Sequence, residues 1–303
     1  MKKDSIQDNR IVRRLVRLAL EEDLGIRRRD VTSDLLFKSK DRVNAVILAK
    51  EKMIYCGYPI ICEVYRQLDP SVRVNASVEE GDSVEKGFVV ARLEGAALSL
   101  LKGERIALNF IQRMSGIATM TRRYVDVLGE SRVQLLDTRK TCPGHRILDK
   151  YAVLAGGGAN HRMGLYDMMM IKDNHKAAAG GLVPAVKQAQ ALRRKGILLE
   201  VEVESEKEAL EAARAGCDVI MLDNMDNESI KKCVRLIRKE DPEVKIEVSG
   251  GITLSRLPGL ALLDIDFIST GAITHSVVAA DLSMEMDFHS LQRGKKGFQK
   301  EKS

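Results

Sequence analysis

Five side chains that carry a positive charge, or can take one up, stand between residues 139 and 172: Arg139, Lys140, His161, Arg162 and Lys172. They follow two short apolar runs, at 133–136 and 168–171, with Gly156-Gly157-Gly158 between them. Cations brought together from strand ends and tight loops suit a small molecule with several negative charges, and arginine adds two-pronged contacts to carboxylates. Acids answer them further on. In Glu200-Val-Glu202-Val-Glu204 the side chains of a strand alternate between its faces, so Glu200 and Glu202 share the face opposite Val201 and Val203. If that face is interior, the carboxylates need partners, and Lys140 and Lys172 are the expected ones. The competing reading is a buried ion-pair network with no further task.

Polar or glycine residues close each later apolar run: Thr138-Arg139-Lys140, Lys172-Asp173-Asn174, Glu202, Asp223-Asn224, Ser249-Gly250-Gly251 and Ser269-Thr270-Gly271. Ligands of parallel α/β barrels bind at that end of the strands, because the loops there converge. Free N–H groups of glycine turns suit phosphate. The Gly156 to Gly158 run lacks the preceding strand of a dinucleotide fingerprint and instead lets the chain double back toward His161 and Arg162. Glu202 and Asp223 are out of place in a site that binds only anions. They suit Mg²⁺, ribose hydroxyls or a positive charge that develops during reaction. A carboxylate ligand, a phosphorylated sugar, Mg²⁺ and a developing positive charge are together what phosphoribosyl transfer requires.

The elements that must hold these residues follow from periodicity. Residues 9–23 read as a helix with Ile11, Leu15 and Leu18 on one stripe, Val12, Val16 and Ala19 beside it, and a stop at Gly25. A β-rich layer follows at 43–102, with strands at 43–48, 72–78 and 88–93. A helix over 101–128 carries Ile106, Phe110, Met114 and Ile117 on one face, with a bend expected at Gly116. Apolar runs then recur at 133–136, 168–171, 198–203, 219–222, 246–248 and 267–268, some joined by helices. One helix opens on the capping pattern Ser205-x-x-Glu208 and another carries Ile230, Cys233, Val234 and Ile237. The expected fold is a parallel α/β barrel of six to seven strands, 116–276, whose closure periodicity does not decide, with an N-terminal layer at 1–115. The alternating segment 281–288 is expected to return to that layer, and 290–303 to be frayed.

Composition narrows the class. The chain has 303 residues, enough for a barrel and a smaller domain. No apolar run is long enough to span a membrane, and the charged start is unlike a signal peptide, so a cytoplasmic protein is expected. The five cysteines, Cys56, Cys62, Cys142, Cys217 and Cys233, include no Cys-x-x-Cys pair, against both a disulfide framework and a structural zinc site. A net charge of +6 raises the question of nucleic acid, but aromatics make up 4% of residues and Trp is absent, which argues against a stacking platform for single strands. The turn phrase at 78–87 also occurs in lipoyl and biotinyl carriers. The nearest lysine, Lys52, has only half the flanking pattern of one.

At the residues of the charged cluster the sequence resembles the quinolinate phosphoribosyltransferase family. The phrases are Glu104-Arg105-x-Ala107-Leu108-Asn109-Phe110, Asp137-Thr-Arg-Lys-Thr141, Gly156-Gly-Gly-Ala-Asn-His-Arg162, Ile171-Lys-Asp-Asn-His175, Glu200-Val-Glu-Val203, Met221-Leu-Asp-Asn224 and Ser249-Gly-Gly-Ile252, with Lys150-Tyr-Ala-Val153, Gly164-Leu-Tyr-Asp167 and Thr274-His-Ser276 between and after them. They keep the family's order over most of the chain. The resemblance implies an atypical α/β barrel with an N-terminal α/β sandwich-like domain joined by 277–303, and a homodimer or higher homo-oligomer in which Arg105 serves the partner's site. It implies quinolinate and phosphoribosyl pyrophosphate as substrates, with no nucleic acid or membrane partner. Arg139, Lys140, His161, Arg162 and Lys172 then bind quinolinate, with Thr138 beside them. Ser249, Gly250, Gly251, Ser269, Thr270 and Gly271 lie on the phosphate side. Glu202 and Asp223 face the ribose and Mg²⁺, and Lys140, Lys172, Glu202 and Asp223 are the catalytic set. Cys142 and His145 depart from the family's usual Thr and Leu. A relative associated with molybdate transport genes and a Schiff-base barrel lyase are the alternatives.

Overall fold

The computed structural model describes Ile6 and residues 8–289, and the expectations for the first five residues and for 290–303 lie outside that range. In chain order the elements begin with α1 (Arg10–Leu24), α2 (Ser33–Leu36), β1 (Arg42–Ala49), β2 (Met53–Ile54), α3 (Tyr58–Leu68), β3 (Arg73–Ala76), β4 (Ser83–Val84), β5 (Val89–Ala96) and α4 (Ala97–Leu128). They continue with β6 (Gln134–Leu136), α5 (Arg146–Ala155), β7 (Met169–Ile171), α6 (Asp173–Ala179), α7 (Leu182–Leu192), β8 (Leu199–Val203), α8 (Glu206–Ala215), β9 (Val219–Asp223), α9 (Asn227–Glu240), β10 (Lys245–Ser249), α10 (Leu257–Leu260), β11 (Phe267–Ser269), α11 (Ala272–His275) and β12 (Leu282–Asp287). The chain divides into two compact units. One comprises 1–120, 142–157 and 277–303, and the other 121–141 and 158–276.

The first unit is built on an antiparallel sheet of order β12-β1-β5-β3, with β2 and β4 forming a separate short pair. β12 pairs with β1, so the alternating C-terminal segment does return to this layer. α1 starts at Asn9, whose side chain accepts the Ile11 N–H, and ends at the left-handed Gly25. Its buried stripe is Val12, Val16, Leu20 and Leu24, whereas Ile11 and Leu18 are exposed at 52% and 62%. The expected stripe therefore lies off the packed side: the Val12 face meets α3, and Ile11, Leu15 and Leu18 border open clefts. α4 runs on through Gly116, where a Cβ would stand 2.2 Å from the Val278 carbonyl oxygen. Close approach of the backbone, not a bend, requires glycine there.

Residues 142–157, expected within the barrel, group with this first unit. The cause is polar as well as apolar. Asp149 is fully buried, and the Arg113 guanidinium on α4 donates to both its oxygens at 3.0 and 2.8 Å. The Cys142 N–H adds a bond at 3.3 Å, and the His145 ring stacks on Phe110 at 5.8 Å.

The second unit is a parallel, barrel-like sheet of six strands, in the order β6-β11-β10-β9-β8-β7. All six correspond to the apolar runs of the sequence. Among the described residues no ladder joins β7 to β6. A single parallel bridge, Leu136 to Ala159, extends the β6 edge instead. Every residue of β8 is buried, as strands packed on both faces require. α8 begins with Ser205 Oγ accepting the Glu208 N–H and ends at the left-handed Gly216. Ile230, Cys233, Val234 and Ile237 form the buried stripe of α9.

Candidate active site

The C-terminal ends of the six barrel strands surround a cavity of about 310 Å³. It is lined by Thr138, Arg139, Lys140, His161, Arg162, Lys172, Glu202, Asp223, Ser249, Gly250, Gly251 and Ser269, joined by Met170, Met221, Asn224 and Glu247. Twelve of the residues singled out from sequence thus meet in one place. A wider, largely apolar cleft beside β7, about 600 Å³, holds only Arg162 of that set. Chemistry rather than size identifies the site.

Local structure explains how each group arrives. After β6 the Lys140 N–H donates to Thr138 Oγ1 at 3.0 Å, and Thr274 Oγ1 donates to the Lys140 carbonyl at 2.9 Å. The Lys140 stem lies against Gly271, where a Cβ would come within 2.9 Å of its Cδ. Gly271 therefore makes room for the lysine and for the His275 ring, whose Cδ2 a Cβ would meet at 2.7 Å. Gly157, at φ +93°, turns the chain back so that Ala159 pairs beside β6, its N–H donating to the Leu135 carbonyl at 2.8 Å. The His161 N–H then donates to the buried Asp137 at 3.0 Å, and Arg162 donates to the Met168 carbonyl at 3.1 Å. Desolvation and the facing Arg139 charge lower the Arg162 guanidinium from its ordinary value. The Glu200 and Asp167 charges oppose that shift.

The acids lie in register. On β8, β9 and β10, Glu202 pairs with Met221 and Met221 with Glu247, while Asp223 pairs with Ser249 one step toward the loops. Lys172 and Glu202 form an ion pair. Lys176 supports that strand end, donating to the Glu202 carbonyl at 3.2 Å and to both Glu208 oxygens at 2.8 and 2.9 Å. Glu200, expected to pair with a lysine, instead meets the His161 ring at 2.9 Å, with Glu247 at 3.6 Å from the same nitrogen. Lysine loses that position because Glu200 lies deeper in the sheet, within reach of a ring folded inward. Burial pushes the Glu200 carboxyl up to about 8 against the opposing pull of its bond to Glu247 and of Arg162 and Lys172. Burial, then the Glu200 charge, raises Glu247 to about 8 as well. Asp223 is raised by burial and by Glu202, a shift that Lys172 and Lys140 oppose.

Three expected residues lie elsewhere. Thr270 and Gly271 follow Ser269 but do not line the cavity; Thr270 is buried and its Oγ1 accepts the Ala272 N–H at 3.2 Å. Arg105 lines a separate cavity of about 330 Å³ in the first unit, beside Glu22, Asn109 and Arg113. Lys52, the carrier candidate, is paired with Glu85 at 2.6 Å on the surface.

Two acid groups have the spacing of cation ligands. Ligand atoms of Glu202, Glu204 and Asp223 lie within 4.8 Å of one another, as do those of His161, Glu200 and Glu247. The first set is all oxygen and two of its members, Glu202 and Asp223, line the cavity, which fits a hard ion such as Mg²⁺. In the second, the histidine nitrogen is already bonded to Glu200. Glu204 and Glu247 were not expected. Glu204 is the third member of an alternation already visible in the sequence, and Glu247 stands two residues before Ser249, the same parity that relates Glu202 to Glu200.

Residues 117–285 match the family model described as quinolinate phosphoribosyl transferase, C-terminal domain, and residues 30–115 the N-terminal domain model of the same name. A probable nicotinate-nucleotide pyrophosphorylase (carboxylating) of Bacillus subtilis is 45% identical over 265 residues, 88% of this chain and 90% of that protein. The chloroplastic nicotinate-nucleotide pyrophosphorylase (carboxylating) of Arabidopsis thaliana is 42% identical over 292 residues, 90% of this chain and 82% of that one. Among solved structures, NadC from Streptococcus pyogenes superposes with a TM-score of 0.86 at 39% identity, over 91% of this chain and 96% of that one. The nicotinate-nucleotide pyrophosphorylase from Francisella tularensis gives 0.86 at 40% identity, over 93% and 97%.

Proposed function

The chain belongs to the quinolinate phosphoribosyltransferase family, and we propose that it transfers the phosphoribosyl group of phosphoribosyl pyrophosphate to quinolinate with loss of CO₂, forming nicotinate mononucleotide and pyrophosphate for NAD biosynthesis. The observation that carries this reading is the charge pattern of the barrel mouth. Arg139, Lys140, Arg162 and Lys172 share one cavity with Glu202 and Asp223. A pyridine diacid and a sugar pyrophosphate bring several negative charges, which the cations offset. The reacting sugar carbon becomes positive, which the acids favour.

In the reaction the quinolinate ring nitrogen forms a bond to the anomeric carbon as the bond to pyrophosphate breaks, and the leaving group takes the electron pair. Arg139, Arg162 and His161 hold the two carboxylates, and Lys172 stands at their edge, kept in place by Glu202. Lys140 lies with them on the quinolinate side, and Ser249, Gly250, Gly251 and Ser269 hold the phosphate groups. Glu202 and Asp223 stabilise the oxocarbenium-like sugar. The 2-carboxylate then leaves as CO₂, its electrons accepted by the now cationic ring and the vacated carbon taking a proton. No protein nucleophile is needed, so positioning and electrostatics carry the rate. Glu202, Asp223 and the adjoining Glu204 would hold Mg²⁺, whose chemistry is to offset pyrophosphate charge.

The working form we propose is a homodimer or higher homo-oligomer in which Arg105 completes the partner's site. Arg105 is exposed on α4 and is not among the residues that line the barrel cavity, which supports that reading. We place the enzyme in the cytoplasm. All five cysteines are free, and among the described residues no helix is long and apolar enough to cross a membrane. The Lys172–Glu202 pair disfavours a Schiff-base lyase, in which a free amine must attack a carbonyl.

The test is an assay of the purified protein with quinolinate, phosphoribosyl pyrophosphate and Mg²⁺. Equal amounts of mononucleotide, pyrophosphate and CO₂ are expected, and none without quinolinate. Carbonyl-dependent trapping of a lysine by borohydride, with no mononucleotide, would replace the proposal with the lyase.

A further inference from the structure

Among the described non-glycine residues, only Arg28 and Asn224 have a left-handed backbone, at φ +50° and +54°. Arg28 lies in an exposed turn of the first unit, while Asn224 stands on the rim of the barrel cavity. Asparagine tolerates this conformation better than most residues, yet glycine adopts it freely. A side chain at position 224 therefore needs a reason beyond the turn. Helix capping does not supply it, because Asp226 caps α9 by accepting the Ser229 N–H at 2.8 Å.

The reason lies in what the side chain meets. Asn224 Nδ2 donates to Asp223 Oδ2 at 2.8 Å. The opposite amide orientation would set one oxygen against another, so chemistry fixes which end faces the carboxylate. The Asn224 N–H donates to the Ser249 carbonyl at 3.0 Å, tying the residue to the end of β10. Gly250, itself left-handed at φ +81°, leaves the space the amide occupies. A Cβ there would stand 2.3 Å from Asn224 Oδ1 and 2.6 Å from Cγ. Arg256 braces the two loops from behind, donating to the Met225 carbonyl at 2.9 Å, Asn227 Oδ1 at 3.1 Å, and the Gly250 and Gly251 carbonyls at 3.2 and 3.1 Å. The conformation, the amide bond, the glycine cradle and the arginine brace all act on one short arc of the rim.

We propose that Asn224 is a positioning residue: held left-handed against Gly250, it fixes the direction of the Asp223 carboxylate at the cavity. The inference rests on the reading of Asp223 as the acid that faces the reacting sugar. Gly250 then has a second use besides its N–H group, since any side chain at that position would displace the amide that holds Asp223.

The test uses the full-length enzyme and the variants Asn224→Gly, Asn224→Asp, Asp223→Asn and the double Asp223→Asn/Asn224→Gly. Melting temperature, kcat and both KM values are measured for each. Asn224→Gly is expected to melt at or above the parent temperature, because glycine relieves the backbone. It should keep the quinolinate KM within about twofold and lose about tenfold to a hundredfold in kcat, the change that follows from losing one hydrogen bond to a charged group. Asn224→Asp keeps the shape and the tolerance of the turn but not the donor, so it should show a comparable kcat loss. In the double variant the glycine should add little, because the carboxylate it would misdirect is gone. Parent-level kcat in Asn224→Gly, a fully additive double variant, or a kcat loss matched by a falling melting temperature would each overturn the proposal. Parent-level kcat in Asp223→Asn would instead remove the reading of Asp223, and this inference with it.

Discussion

Asp149 and Glu247 are both buried acids, one in each unit of the chain, and their surroundings treat them in opposite ways. Asp149 receives two bonds from Arg113 and one from the Cys142 N–H, so both its oxygens are satisfied. Glu247 faces another acid, Glu200, and each keeps a buried Oε1 without a hydrogen-bond partner. The first arrangement fastens a segment to α4. The second leaves two carboxyl oxygens without partners beneath a cavity, at a standing cost in stability. Folding has no use for the second arrangement, and a site that handles charged substrates does. The contrast separates an acid that fastens a segment from one that lines a site better than burial alone.

The contrast breaks most visibly at Arg113. Arg113→Ala should destabilise the protein by about 3–5 kcal/mol, since Asp149 is left buried and unpaired. Replacing both partners by leucine should recover much of that loss. Denaturant melts check both variants, and a loss below about 1 kcal/mol for Arg113→Ala would erase the distinction. Glu202→Gln should do the reverse. We expect kcat to fall by about 10²–10³, the range for removing one preorganised electrostatic group, with little change in melting temperature. Steady-state kinetics and a thermal melt on the same preparation decide it.

Acidity sharpens the comparison. The Glu247 carboxyl lies at about 8 against an ordinary 4.5, so the folded state holds a proton that the unfolded state has released. A carboxyl raised in this way costs stability as pH climbs from about 4.5 through 8. Glu247→Gln should remove that fall. Relative to the parent it should gain stability between pH 5 and 8, on the order of a few kcal/mol at most, as read from melts across that range. The smallest effect belongs to a group with only a local duty. Ser205→Ala removes the cap of α8 and should cost about 1 kcal/mol with kcat unchanged.

Much of the site was legible because strand alternation and strand ends leave a direct trace in sequence. The six apolar runs became the six strands, and the parity of Glu200 and Glu202 held. Glu247 stayed hidden for a physical reason. Lys245-Ile-Glu-Val-Ser249 alternates like a strand with one wet face, whereas in a barrel-like sheet both faces of the strand are covered. Apolar residues wrap so much of α1 that the stripe to be buried is chosen by α3, which no local pattern reveals. Residues 142–157 leave the barrel because Asp149 has a partner far away in sequence, and Arg113 could be matched to it only in three dimensions. Asn224 and Arg256 act through a backbone angle and through carbonyl groups, neither of which residue type encodes.

The central claim, that the barrel mouth is built for two carboxylates rather than one, is tested most directly by acceptor selectivity. The measurement is the ratio of kcat/KM for quinolinate to that for nicotinate, in the parent and in Arg139→Ala and Arg162→Ala. The account predicts a parent ratio of about 10⁴ or more, as for sites whose buried polar groups lose a partner with the wrong substrate. It also predicts a fall of about tenfold to a thousandfold in the ratio for at least one of the arginine variants, taken from quinolinate alone. Variants that lose activity equally toward both acceptors, or that keep the parent ratio, would contradict it.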